Sequence, residues 1–319
     1  MAASQAIVAT PRRRSFLTRF LRYDTLAETR ECLLGYAYAT PWFLGLLIFV
    51  IGPILVSFYL SLTKYDVISM PRFHGLANYQ RAFFEDKQFW PSLSRTFRFA
   101  LFVVPVGTTG SLLLALLLNR GITGTTVYRT LFFLPHLTPA VAMAVLWTFL
   151  LHPSVGPVNY ALKLVGIKGP GWFSSTKWAL PSVILVSLWA GFGGNRMMIF
   201  LAGLQGVPQE LYDAADVDGA GGWTRFWNVT LPMISPTLFF TVIMGVIGAL
   251  KVFALAYVAT AGGPSWATWF YALHLYNWSF NYFEMGYGAA LAWIFAAIVI
   301  TLTLIQFRLS RRWVYYLGG

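Results

Sequence analysis

Four carboxylates crowd into nine residues of this chain: Glu210, Asp213, Asp216 and Asp218. They open the polar, glycine-rich stretch ELYDAADVDGAGGWTRFWNVTLP, which runs from Glu210 to Pro232 between two long apolar runs. Acids so close together could serve catalysis at a membrane face, or they could present charge to another protein. An acid at a bilayer centre costs roughly 2.5 to 3.5 kcal/mol. The stretch must therefore lie in water or against a partner.

Other residues that do chemistry are sparse. The four histidines (His74, His136, His152 and His274) are far apart, and no HExxH pair or GxSxG elbow occurs. Metal ligands come in clusters, so the histidines read as hydrogen-bonded or interfacial groups. No GxxxxGK[ST] loop is present to cradle nucleotide phosphates. Cys32 is the single cysteine, which excludes an intrachain disulfide and a cysteine-based metal site. No cofactor or metal is expected in this chain, and no catalytic role.

The elements that position the acids are set by composition. The 319 residues are 57% hydrophobic and only 11% charged, against about a quarter charged in soluble domains. Their mean hydropathy is +0.63. This is an all-α integral membrane protein. Six apolar runs are long enough to span a bilayer as helices, at about 38–62, 96–118, 131–151, 179–203, 235–259 and 286–307. An even number puts both termini on one side.

Basic residues choose the side. With both termini cytosolic, twelve Lys and Arg lie inside and nine outside, and the short loop from Asn119 to Thr130 holds two arginines and no acid. The formal charge of +12 is scattered over loops and helix ends, which argues against a nucleic-acid partner. Residues 1–35 form a basic segment whose stretch 11–33 is expected as an interfacial helix, and 36–319 form one membrane domain. Gly and Pro inside the spans, such as Pro105 with Gly107 and Gly191 with Gly193 and Gly194, suit close helix packing.

Within the polar loop, Pro208 and Glu210 suit the first turn of a short helix. Leu211, Ala214, Ala215 and Asp218 then share one side, where the two alanines let a partner come close. Gly219 stands where the helix should end in a left-handed residue, and Trp223, Phe226 and Trp227 begin a second short helix. Physics alone leaves two readings open, an ordinary surface connector and a docking helix.

The string resembles the EAA signature of the membrane subunits of binding-protein-dependent ABC importers. The matching positions are Asp213, Ala214, Ala215, Gly219, Val229, Leu231 and Pro232, with Asp213 in place of the usual glutamate; Asp218, Gly219 and Ala220 preserve a DGA common in sugar importers. Stretches such as Phe132-Phe133-Leu134-Pro135, Leu201-Ala202-Gly203-Leu204-Gln205 and Thr260-Ala261-Gly262-Gly263-Pro264 extend the likeness to the maltose and glycerol-3-phosphate permease type over about 38–316.

The resemblance implies a type I ABC importer transmembrane domain in a bacterial or archaeal cytoplasmic membrane. Its loop, about 204–234, would be the coupling helix that fits an ATPase subunit. The implied partners are a second permease chain, two ATPase subunits that bind ATP and Mg, and an external solute-binding protein. By the same analogy the middle of the fourth and fifth spans lines a sugar path, with Trp189, Phe192, Asn195, Lys251 and Tyr257 as candidates. Arg196 in the fourth span suits a structural role. The rivals are a polytopic enzyme acting on lipid-linked sugars and an ion-coupled carrier, and the span centres hold no acid for an ion relay.

Overall fold

The structure, a computed structural model, describes residues 26–121 and 123–315. The expected interfacial helix over 11–33 lies outside the described residues as far as Thr25. The chain divides into two units between Tyr59 and Leu60. In the first, α1 (Leu26–Leu46) enters a π turn (Leu47–Ile51) and leads into α2 (Gly52–Ser61). The run Arg30–Ser61 is long and apolar enough to cross a membrane.

The second unit opens with a two-residue antiparallel ladder, β1 (Thr63–Lys64) on β2 (Arg72–Phe73), and with α3 (Ala77–Gln80) followed by a π turn (Arg81–Glu85). The hub is α4 (Phe89–Leu118), whose 30 residues pack against five later helices. Its buried face carries Thr96, Phe99, Val103, Gly107, Ser111 and Ala115 at helical spacing. Small residues on that face let neighbouring backbones come close.

The third apolar run is not one helix. α5 (Thr125–Leu137) and α6 (Ala140–Leu150) meet at 94°, so the run expected as one helix over about 131–151 is a bent pair. Pro139 explains the break: it lacks an N–H and forces the residue before it out of helical geometry. Thr138 is accordingly extended, with ψ 126°. α7 (Pro157–Leu164) and a 3-10 turn (Trp172–Ser174) follow.

The fourth and fifth runs fall where expected but each is interrupted. α8 (Ala179–Phe192) and α9 (Asn195–Gln205) are separated by Gly193 and Gly194. A Cβ on Gly193 would lie 2.0 Å from the Phe132 carbonyl oxygen, and one on Gly194 would lie 2.8 Å from His136 Nδ1. The glycines are where α5 crosses.

The polar loop folds as α10 (Gln209–Val217), α11 (Gly222–Arg225), a π turn (Phe226–Thr230) and α12 (Leu231–Met233). The fifth run then forms α13 (Ser235–Leu250) and α14 (Ala254–Thr260), which part at Lys251–Phe253. α15 (Tyr271–Tyr276), a π turn (Asn277–Asn281) and the long α16 (Met285–Ser310) complete the unit.

Five helical runs of the described residues are each able to cross a membrane, and the bent pair supplies a sixth candidate. Three apolar clusters hold the second unit. One, around Phe99, Val103, Val186, Leu250 and Phe270, joins α4, α8 and the fifth run. A second, around Leu112, Met197, Phe200 and Ile234, lies beside the acidic loop, and a third, around Phe89, Tyr271, Tyr287 and Leu291, lies at the other end of α4.

Candidate functional site

The acidic loop presents its sequence-predicted residues outward. Glu210, Asp213, Ala214, Asp218 and Gly219 are exposed, while Ala215, Ala220, Leu231 and Pro232 are half-buried. Pro208 stands just before the first helical residue, one position earlier than expected, and Glu210 occupies the first turn beside the positive end of the helix dipole. Gly219 has φ +73° and nothing within 4 Å of where a Cβ would sit. Its left-handed conformation, which side chains other than glycine rarely adopt, ends the helix, while no neighbour in this chain crowds the position.

Local bonds brace the loop from below. Gln209 Nε2 donates to Asp213 Oδ1 at 3.0 Å, Arg225 pairs with Asp216, and Tyr212 and Thr230 share a hydroxyl hydrogen bond of 3.1 Å. Phe226 packs on the cluster of Leu112, Met197 and Ile234, which ties the second half of the loop to α4 and α9. Trp223 is 74% exposed and touches Trp227 edge to face. The result is a firm platform with an acid-and-alanine face left open.

The candidate path residues fall into separate groups. Trp189 meets Trp147 edge to face at 5.2 Å, and the buried Trp147 Nε1 has no partner among the described residues. Phe192 fills the space over Gly110, where a Cβ would be 2.6 Å from its ring. Tyr257 stacks on Phe253 at 5.3 Å and meets Tyr276 at the same distance, and Tyr276 leads on to Phe280. Lys251 is exposed at the break between α13 and α14, and Asn195 is exposed at the start of α9. Sequence reasoning missed Trp147, Phe253, Tyr276 and Phe280, since an aromatic in an apolar run carries no sign of which neighbour it faces.

Arg196 lies between helices. A Cβ on Gly107 would come within 2.5 Å of its Nη1, and one on Gly245 within 3.5 Å of its Nη2. Its guanidinium thus fills hollows on α4 and α13 at once, a helix-packing place rather than the interfacial or loop-supporting one expected of it.

At the end of α4 remote from the acidic loop, Asp86 is buried with His274. Asp86 Oδ2 accepts from Tyr287 Oη at 2.7 Å and from His274 Nε2 at 2.8 Å, and Oδ1 accepts the Gln88 N–H. An indole N–H can only donate, so the 3.0 Å bond from Trp269 Nε1 fixes His274 Nδ1 as an acceptor and leaves the ring proton on Nε2. Burial opposes ionisation of Asp86, but these hydrogen bonds outweigh it and hold the carboxyl low, at about 2. Next to it Arg81 pairs with Glu284 and lies over the rings of Trp278 and Tyr287 at 4.6 and 4.4 Å. Among the described residues no three His, Cys, Asp or Glu side chains converge as a metal-ligand set.

Residues 107–315 match the family of binding-protein-dependent transport system inner membrane components. The chain belongs to that family. This permease is 39% identical over 303 residues to the probable ABC transporter permease protein YesP of Bacillus subtilis, a match that covers 94% of this chain and 95% of the other. It is 33% identical to the trehalose/maltose transport system permease protein MalF of Thermococcus litoralis, covering 92% and 97%, and 33% identical to the sn-glycerol-3-phosphate permease protein UgpA of Agrobacterium fabrum, covering 89% and 97%.

A solved bacterial ABC transporter involved in the import of alginate has a chain of the same fold, with a TM-score of 0.79 over 92% of this permease at 24% identity. The permease is an inner-membrane, non-catalytic subunit of an ABC importer.

Proposed function

We propose that this permease serves an ATP-driven importer of sugars or related polyols, and that α10 is its grip on a separate ATPase. The observation that carries the reading is the open face of α10, with Asp213, Ala214 and Asp218 exposed and Gly219 closing the helix at φ +73°. Small side chains there leave room for a partner's cleft, and the acids offer charge to basic groups in it.

The full assembly pairs this chain with a second permease, two ATPase subunits that bind ATP and Mg, and an extracytoplasmic solute-binding protein. The acidic loop and both termini face the cytosol. ATP-driven closure of the ATPase pair pulls α10, and α9 transmits the pull to α4 and α13, against which it packs. The cavity between the permeases then opens alternately to the two sides. Hydrolysis resets it.

The sugar class is supported by the relative named for trehalose/maltose, and by the aromatic and polar groups of the fourth and fifth spans. Trp189, Phe192 and Tyr257 offer ring faces to sugar C–H patches, while Asn195 and Lys251 meet hydroxyls.

The test is co-purification with the ATPase and second permease chains, followed by ATP hydrolysis with loaded binding protein in nanodiscs. Gly219→Trp and Ala214→Arg place bulk on the open face and are expected to abolish co-purification or to cut stimulated hydrolysis at least tenfold. Undiminished assembly and hydrolysis in both variants would overturn the assignment of α10.

A further inference from the structure

The segment from Leu151 to Trp178 joins the third and fourth spans, at the end of the bundle opposite the acidic loop, and nothing above gives it a task. It contains Lys163, Lys168 and Lys177 and no carboxylate. Lys163 and Lys168 line one concavity of about 450 Å3, together with Asn159 and the glycine backbone at Gly166 and Gly169. Two ammonium groups at one hollow, with no acid in the segment, leave positive charge that calls for an anion from elsewhere.

Around that hollow the surface is apolar. Tyr160 and Leu164, four residues apart on one side of α7, are 66% and 71% exposed, and Val165 and Ile167 beyond the helix are also exposed. The opposite side faces inward: Val158 packs against the cluster of Phe99 and Val186, and Leu162 is half-buried.

The segment is also stapled in place. Asn159 Nδ2 bonds the carbonyls of Pro153 and Pro170 at 3.1 Å each, and its Oδ1 accepts the Trp172 indole N–H at 2.6 Å. A Cβ on Gly169 would strike Asn159 Oδ1 at 2.1 Å. A rigid, amphipathic surface with lysines along its apolar side has the chemistry of a bilayer interface: apolar side chains enter the acyl boundary while lysines reach phosphates.

We propose that residues 155–168 form a foot on the outer leaflet that binds the phosphate of an anionic phospholipid between Lys163 and Lys168. Continuity singles out lipid as the occupant. α6 ends at Leu150 and α8 begins at Ala179, so the segment links the end of the bent third run to the start of the fourth, both apolar enough to enter a membrane. The lysines supply the charge complement that a zwitterionic lipid would not need.

Two measurements on the assembled transporter decide the matter. In nanodiscs of phosphatidylcholine with a minority of phosphatidylglycerol, native mass spectrometry is expected to find phosphatidylglycerol retained, and the Lys163→Gln/Lys168→Gln variant is expected to lose that preference by about an order of magnitude. Equal retention overturns the proposal. A nitroxide on Leu164→Cys, in a Cys32→Ser background, reports the surroundings of the foot directly. High access to oxygen and low access to a nickel chelate, without the binding protein, are expected for a lipid contact. Water-like access, or shielding that develops only when the binding protein is added, overturns it in favour of a protein contact. Neither measurement depends on α10, so failure here leaves the ATPase grip untouched.

Discussion

Asp86 shows how one buried acid can anchor a loop. Its side chain is only 6% exposed, yet two donors from residues far along the chain, His274 and Tyr287, and the nearby Gln88 N–H hold it ionised. Its pKa of about 2 lies below the roughly 3.9 of an unfolded aspartate, so ionisation contributes on the order of 2 kcal/mol at neutral pH. That contribution is complete above about pH 4 and is lost as pH falls towards 2. Asp86→Asn is expected to lower the thermal unfolding temperature by several degrees, with a gap to wild type that stays constant from pH 5 to 8. A gap that closes by pH 5 would refute this account. The glycines of the fourth span give a paired test. Gly193→Ala drives a Cβ into a carbonyl oxygen and is expected to destabilise by about 1–3 kcal/mol, whereas Gly191→Ala, with nothing within 4 Å, is expected to be harmless.

At the level of elements, the polar loop is held by packing more than by charge. The Arg225–Asp216 pair is open to solvent, and such pairs contribute at most about 1 kcal/mol. Asp216→Ala should leave the unfolding temperature of the assembled transporter within a degree or two of wild type, as differential scanning fluorimetry would show. The apolar runs were legible in the sequence because six stretches of suitable length stand out by composition alone. The end of α10 at Gly219 was legible too, because a single residue type carries the signal. The right-angle bend at Thr138–Pro139 was not expected, since prolines inside membrane helices are common and most do not turn the chain so far. The partners of Trp189 and Tyr257 were also hidden, because they come from helices distant in sequence and periodicity says nothing of cross-helix neighbours.

For the whole molecule, the proposed orientation, with α10 in the cytosol, is read directly by chemical labelling. In a Cys32→Ser background, Asp213→Cys is expected to react with an impermeant maleimide only after cells are permeabilised, and Thr176→Cys, which is exposed on the connecting segment beyond the foot, in intact spheroplasts. The reverse pattern would place α10 outside, where no ATPase could reach it.

Arg196 carries a consequence for how the bundle moves. Its head group sits like a cog tooth in two notches, at Gly107 on α4 and Gly245 on α13. A twist or slide of α9 therefore cannot be absorbed where it begins. On the proposed coupling, a displacement of α9 would press this tooth against both neighbours, so the two helices would have to move with it.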